Sequence, residues 1–138
     1  MSRYLIDTNV LSEPLRPQPH PLTIERLRLH TDEIAIASVT WHEIRYGCLR
    51  LPASRRREQI EQYLQEVQAT FPILPYDAAA AEWHASERAR LTALGQPPAY
   101  ADGQIAAIAH TNGLILVTHN VSDFAGFQDL QIEDWFPH

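Results

Sequence analysis

Four acidic residues, Asp7, Glu43, Asp102 and Asp123, stand where a strand should end or a helix begin, among neighbours that are otherwise apolar or small. Taken singly, each reads equally well as a helix cap or a partner for a helix dipole. Together they matter, because a simple alternation of strands and helices would carry all four to one edge of one sheet. Two carboxylates about 4 Å apart repel by roughly 4 kcal/mol at an effective dielectric near 20. Such a group either takes up protons, with raised pKa values, or shares a cation. An all-oxygen donor set suits a hard ion, Mg2+ with Mn2+ as substitute, which keeps several waters and needs only one or two carboxylates. One or two such ions could polarise a phosphodiester and acidify the water that attacks it. The seven histidines offer no HExxH-type zinc spacing.

The elements that must position these acids follow from periodicity. Residues 3–6 read as a short buried strand ending at Asp7, after which Thr8 opens a helix. Four prolines between Pro14 and Pro21 bar a regular helix there. Leu22 to His30 reads as a helix with Leu22, Arg26 and Leu29 on one side. Ile34 to Ala37 is a second strand. Trp41, Ile44, Cys48 and Leu51 recur at helical spacing over Thr40 to Leu51, and Thr40 with Glu43 matches a capping box. Arg55 to Phe71 carries an apolar stripe of Ile60, Tyr63, Leu64, Val67 and Phe71. Phe71 to Leu74 is an edge strand, since Pro72 cannot donate to a ladder.

Asp77 to Leu94 and Ala101 to Asn112 are helices, stopped by Gly95 and Gly113. Leu114 to Thr118 is apolar on both faces and reads as a central strand. Leu130 to Ile132 is a weaker fifth. The alternation predicts an α/β fold, a mostly parallel sheet of four to five strands covered on both faces. Asp7 then ends the first strand, Glu43 lies on the helix after the second, Asp123 follows the strand ending at Thr118, and Asp102 opens the helix leading back to it. That edge is where open α/β sheets bind ligands.

Composition narrows the classes. The 138 residues fit one domain, 1–138, with an ordinary apolar fraction of 45%. No apolar run approaches the roughly 20 residues that span a bilayer, so no membrane role is expected. Charge arrives too early in the N-terminus for a signal peptide, and the lone Cys48 has no internal partner, so a cytoplasmic protein is expected. A net charge of −6 argues against a broad basic surface, although one patch could still hold a strand of nucleic acid. Every one of the eleven basic residues is arginine. Arg50, Arg55, Arg56 and Arg57 cluster and could meet RNA phosphates, or equally form a solvated helix start.

Four motifs in order resemble the PIN domain, specifically the VapC-type toxins of toxin–antitoxin pairs. They are Asp7-Thr8-Asn9-Val10-Leu11-Ser12-Glu13; Ser38-Val39-Thr40 followed by Glu43-Ile44 and Gly47; Asp102 followed by Ile105-Ala106-Ala107 and Ala109; and Val117-Thr118, Asn120 and Asp123-Phe124. The resemblance implies a three-layer α/β/α sandwich and a Mg2+- or Mn2+-dependent endoribonuclease that leaves a 5′-phosphate and a 3′-hydroxyl. It assigns metal binding and catalysis to Asp7, Glu43, Asp102 and Asp123, with Asn9, Thr118 and Asn120 as supporting polar groups. Asn120 stands where some relatives carry a further acid. The resemblance also implies a homodimer, a cognate VapB-like antitoxin, and contact with operator DNA only through the antitoxin complex. A different class of reading, a non-catalytic PIN-like module that binds RNA or protein, is disfavoured by the complete acid set.

Overall fold

Two strands, β1 (Tyr4–Ile6) and β2 (Ile34–Ala37), are buried along their whole length. Strands buried on both faces require helices on both, and the chain supplies them. The computed structural model describes residues 1–137. After β1 come α1 (Thr8–Leu11), a 3-10 turn at Glu13–Leu15, α2 (Pro21–Leu29) and a second 3-10 turn at Thr31–Glu33. After β2 come α3 (Ser38–Leu49), α4 (Arg55–Thr70), β3 (Ile73–Leu74), α5 (Ala78–Ala93), α6 (Tyr100–Thr111), β4 (Ile115–Val117), α7 (Val121–Phe124) and β5 (Ile132–Glu133).

The strands lie in the order β3-β2-β1-β4-β5, and every pairing is parallel. The alternation of side chains divides the core in two. Leu5, Ala35, Ala37 and Leu116 face α5, α6 and α7, where Ile105, Ala106, Ala109 and Phe124 meet them. Tyr4, Ile6, Ile34, Ile36 and Val117 face the opposite layer, with Val10, Ile44, Cys48, Leu64 and Trp135. Small residues from β2 and α6 share the first core, so that helix can lie close to the sheet. This is the expected α/β/α sandwich. β3 is the edge strand that Pro72 called for, and β4 is interior, between β1 and β5. The chain changes direction across the sheet between β1 and β4, and their carboxyl ends open a crevice there.

Two local expectations fail. Thr40 and Glu43 form no capping box: α3 begins at Ser38, directly after β2, with no side-chain cap. Thr40 is therefore inside the helix, fully buried, and its hydroxyl has no partner among the described residues. The face of α2 also differs. Leu22 and Leu29 are exposed, while Thr23 is buried and Leu27 packs on the core. The Thr23 hydroxyl donates to the Trp135 carbonyl at 3.0 Å, which fixes that rotation. Asp77 caps α5 as expected, accepting from the Ala80 N–H at 2.9 Å. Among the described residues no helix is long and apolar enough to cross a membrane.

Candidate active site

Asp7 follows β1 without a spacer, and its N–H still donates to the Val117 carbonyl at 2.9 Å. Its backbone therefore belongs to the sheet while its side chain leaves at the carboxyl edge. Both carboxylate oxygens are engaged. Oδ1 accepts from the Thr8 N–H at 2.8 Å, capping α1, and Oδ2 accepts from the Thr118 hydroxyl at 2.8 Å. Thr118 lies just past β4 and is completely buried. The Thr118 oxygen in turn accepts the Asn120 N–H at 3.1 Å. Asn9 Oδ1 accepts the His119 N–H at 3.3 Å. The loops after β1 and β4 are thus tied together around Asp7. His119 itself turns outward, toward Asp134.

Glu43 reaches the same edge from α3, where its Oε2 accepts the Thr8 hydroxyl at 3.1 Å. Asp102 reaches it from the first turn of α6. A cleft of about 310 Å3 is walled by Asp7, Thr8, Asn9, Ser12, Glu43, Asp102, Ile105 and Asn120. Asp123 sits apart from these walls. It is exposed on α7 and lines an adjoining cleft of about 340 Å3 with Asp102, Ser122 and the loop 96–99. Asp102 is the wall the two clefts share.

The electrostatics register this gathering. Burial, followed by the charges of Asp123, Asp7 and Glu43, pushes the Asp102 carboxyl up to about 6. Burial also raises Asp7. The hydrogen bonds from Thr118 and Thr8 oppose that, and the charge of Asp123 adds to it. Among the described residues no arginine lines either cleft. The four acids therefore share one uncompensated negative field. All offer hard oxygen donors, which fit a divalent cation such as Mg2+ or Mn2+. Among the described residues no three His, Cys, Asp or Glu side chains converge tightly enough to cage an ion. The fit is to an ion held by one or two carboxylates and its own waters.

The arginine cluster divides. Arg56 donates to the Leu15 carbonyl at 2.7 Å, and Arg57 donates to the Leu51 carbonyl at 2.9 Å while lying 3.6 Å from Glu61. Both fasten α4 to neighbouring turns. Arg50 lies over the Tyr46 ring and Arg55 is exposed, so these two keep accessible guanidinium groups. Sequence reasoning overlooked Thr8 and Ser12 as walls of the cleft. Thr8 reads locally as a cap, and the bond that gives it a second role spans 35 residues.

The family model described as PIN domain matches residues 4–128. A tRNA(fMet)-specific endonuclease VapC from Shigella flexneri is 33% identical over 136 residues, covering 98% of this chain and 99% of its own. Toxin FitB from Neisseria gonorrhoeae is 33% identical over 126 residues, covering 87% and 89%. Among solved structures, DNA-bound VapBC from Salmonella typhimurium superposes with a TM-score of 0.85 at 30% identity, covering 98% of this chain and 99% of the matched chain.

Proposed function

This chain belongs to the PIN-domain family, among its VapC-type toxins, and we propose that it is a Mg2+- or Mn2+-dependent endoribonuclease. The observation that carries the reading is that Asp7, Glu43 and Asp102 wall one cleft with no arginine among its lining residues, and burial with the charges of Asp123, Asp7 and Glu43 raises Asp102 to about 6. A carboxylate under that pressure is relieved by a cation. When bound, a divalent ion would polarise the scissile phosphate and acidify the attacking water. Asp7, Glu43 and Asp102 would hold it, directly or through its waters, and Asp123 would complete the negative field. Thr118 and the Thr8 N–H fix both oxygens of Asp7. Its remaining lone pairs therefore point in set directions before any ligand arrives. Thr8 does the same for Glu43. Asn120 and Asn9 brace the loops that carry these donors. Arg50 and Arg55 are the two cluster members free to meet an RNA backbone.

A small VapB-like antitoxin would hold the toxin inactive in the cytoplasm, where RNA is available. The assembly would be built on a homodimer and would reach operator DNA only as the antitoxin complex. The solved DNA-bound VapBC relative supports the antitoxin partner and DNA contact by the complex. The name of the Shigella relative makes tRNA the first RNA to offer.

The purified chain, stripped of antitoxin, is expected to cleave RNA with Mg2+ and to stop on adding a chelator. Asp7→Asn and Asp102→Asn are expected to be inert, and full activity in either would sink the assignment. The loose spacing of the carboxylates favours one competitor, a module that binds RNA without cutting it. Calorimetry that detects no divalent-ion binding, alongside intact RNA, would decide for that competitor.

A further inference from the structure

Helix α5 meets the start of α6 where the two leave no free space. Gly103 directly follows Asp102, and a Cβ at that position would lie 2.1 Å from Nε2 of His84 and 2.5 Å from its Cδ2. No real side chain tolerates such an approach, so the imidazole edge rests on the bare backbone of Gly103. His84 is only 2% exposed. Its Nδ1 lies 2.7 Å from the Tyr76 hydroxyl, which tethers the ring. Its other face packs on Tyr100, with centroids 5.1 Å apart. The ring therefore touches α6 on both sides of Asp102, at Tyr100 and at Gly103. Nε2 has no hydrogen-bond partner among the described residues. Leaving a buried polar atom unpaired costs about 1–3 kcal/mol, so an apolar side chain would serve a purely packing role better.

We propose that His84 is a positioning residue for Asp102. Its ring, tethered by Tyr76 and wedged between Tyr100 and Gly103, sets where the first turn of α6 presents that carboxylate to the cleft. This rests on the reading of Asp102 as a metal-binding group. It adds a residue outside the cleft to the machinery, and it explains why the position after Asp102 must be glycine.

The test is a double-mutant cycle on the full chain freed of antitoxin: wild type, Gly103→Ala, His84→Ala and the pair, assayed for RNA cleavage at saturating Mg2+. A misplacement near 1 Å can cost about 100-fold in rate. Gly103→Ala is therefore expected to lower kcat by about 30-fold with KM for RNA within about twofold. His84→Ala alone is expected to lower kcat by about fivefold with KM unchanged, and a wild-type kcat in it overturns the proposal. The pair, in which the new methyl has room, is expected to return to the His84→Ala level rather than to wild type. A wild-type kcat in Gly103→Ala, or a pair no faster than Gly103→Ala alone, overturns the proposal.

Should Gly103→Ala fail to fold, Tyr76→Phe removes the tether and keeps the ring. It is expected to lower kcat by about threefold with KM unchanged, and an unchanged kcat is a refutation. A wild type that leaves RNA intact would fail the proposed function instead. The positioning claim is then read from a metal-free crystal structure of His84→Ala. There Asp102 is expected to move by more than about 0.5 Å relative to Asp7, and superposition within error rejects the idea.

Discussion

At Asp102 the folded protein stores a conflict that costs it stability. Its carboxyl is raised to about 6, against an ordinary value of 3.8. Between those values the native state holds a proton that the unfolded chain has released, so native stability grows as pH falls through that window. Burial lowers the His84 imidazole, which works the other way below its ordinary 6.5, so the Asp102 contribution is read as a difference. From pH 8 to pH 5 the metal-free wild type is expected to gain melting temperature relative to Asp102→Asn. Asp102→Asn removes the repulsion outright. It should raise the metal-free stability at pH 8 by about 1 kcal/mol, a figure discounted because the side chain is only half-buried. Thermal melts of both proteins across that pH range check it, and a variant that melts lower than wild type at pH 8 contradicts it.

Thr118 tests the same site from the other direction. Thr118→Val keeps the shape and removes the donor to Asp7 Oδ2. It should cost about 1–3 kcal/mol in stability, since a buried acceptor loses its partner. It should also lower Mg2+ affinity or activity by about 10–100-fold, measured by calorimetry and cleavage assay. The acids and Thr118 were legible in the sequence because each sits in a short motif after a recognisable strand or at a helix start. The Thr8–Glu43 bond and the His84–Gly103 contact were not, because no local pattern marks partners that only the tertiary fold brings together.

Among the elements, α5 does more than cover the sheet. Beside its His84 contact, it grips the segment after α7 through a buried carboxylate. Glu87 accepts from Arg90 Nε at 2.8 Å and from the Gln128 N–H at 2.7 Å, and Arg90 also donates to the Gly126 carbonyl. Asp123 lies three residues before Gly126, so its carrier is clamped to α5. The Arg90 hydrogen bond leads in holding the Glu87 carboxyl below its ordinary 4.5, with the Gln128 N–H helping. A depressed carboxyl contributes stability that is present above its unfolded value and is lost as pH falls through the folded one. Glu87→Gln should therefore cost about 2 kcal/mol at pH 7, with the gap to wild type closing as pH drops below about 4. Urea unfolding at pH 7 and pH 3.5 measures both. A constant gap would assign the loss to packing instead. The existence and order of the helices and strands were readable from apolar spacing. Their starts and faces were less so: α3 begins two residues before Thr40, and α2 turns Thr23 inward. In each case a tertiary contact or an abrupt strand-to-helix junction overrode the local signal.

In the whole molecule, the site exists only when the chain is folded. Tyr4, Leu5 and Ile6 of β1 pair with Ile115, Leu116 and Val117 of β4. That long-range pairing places Asp7 beside Thr118, while α6 and α7 bring Asp102 and Asp123 to the same edge. An unfolded chain scatters these carboxylates, so a divalent ion should bind the native state almost exclusively. Such a ligand stabilises by RT ln(1 + [L]/Kd), about 2.7 kcal/mol at a hundredfold excess over Kd. For a chain of this length, each kcal/mol moves the melting temperature by roughly 3–4 °C, so saturating Mg2+ should raise it by about 10 °C. The gain should be larger at pH 8 than at pH 5.5, where protons compete for the raised Asp102 carboxyl. The same titration on Asp102→Asn should give a much smaller rise from a higher metal-free baseline, because the substitution has already relieved what the ion would relieve. A melting temperature indifferent to Mg2+ in wild type, or an equal rise in both proteins, would show that the shared negative field recruits no cation.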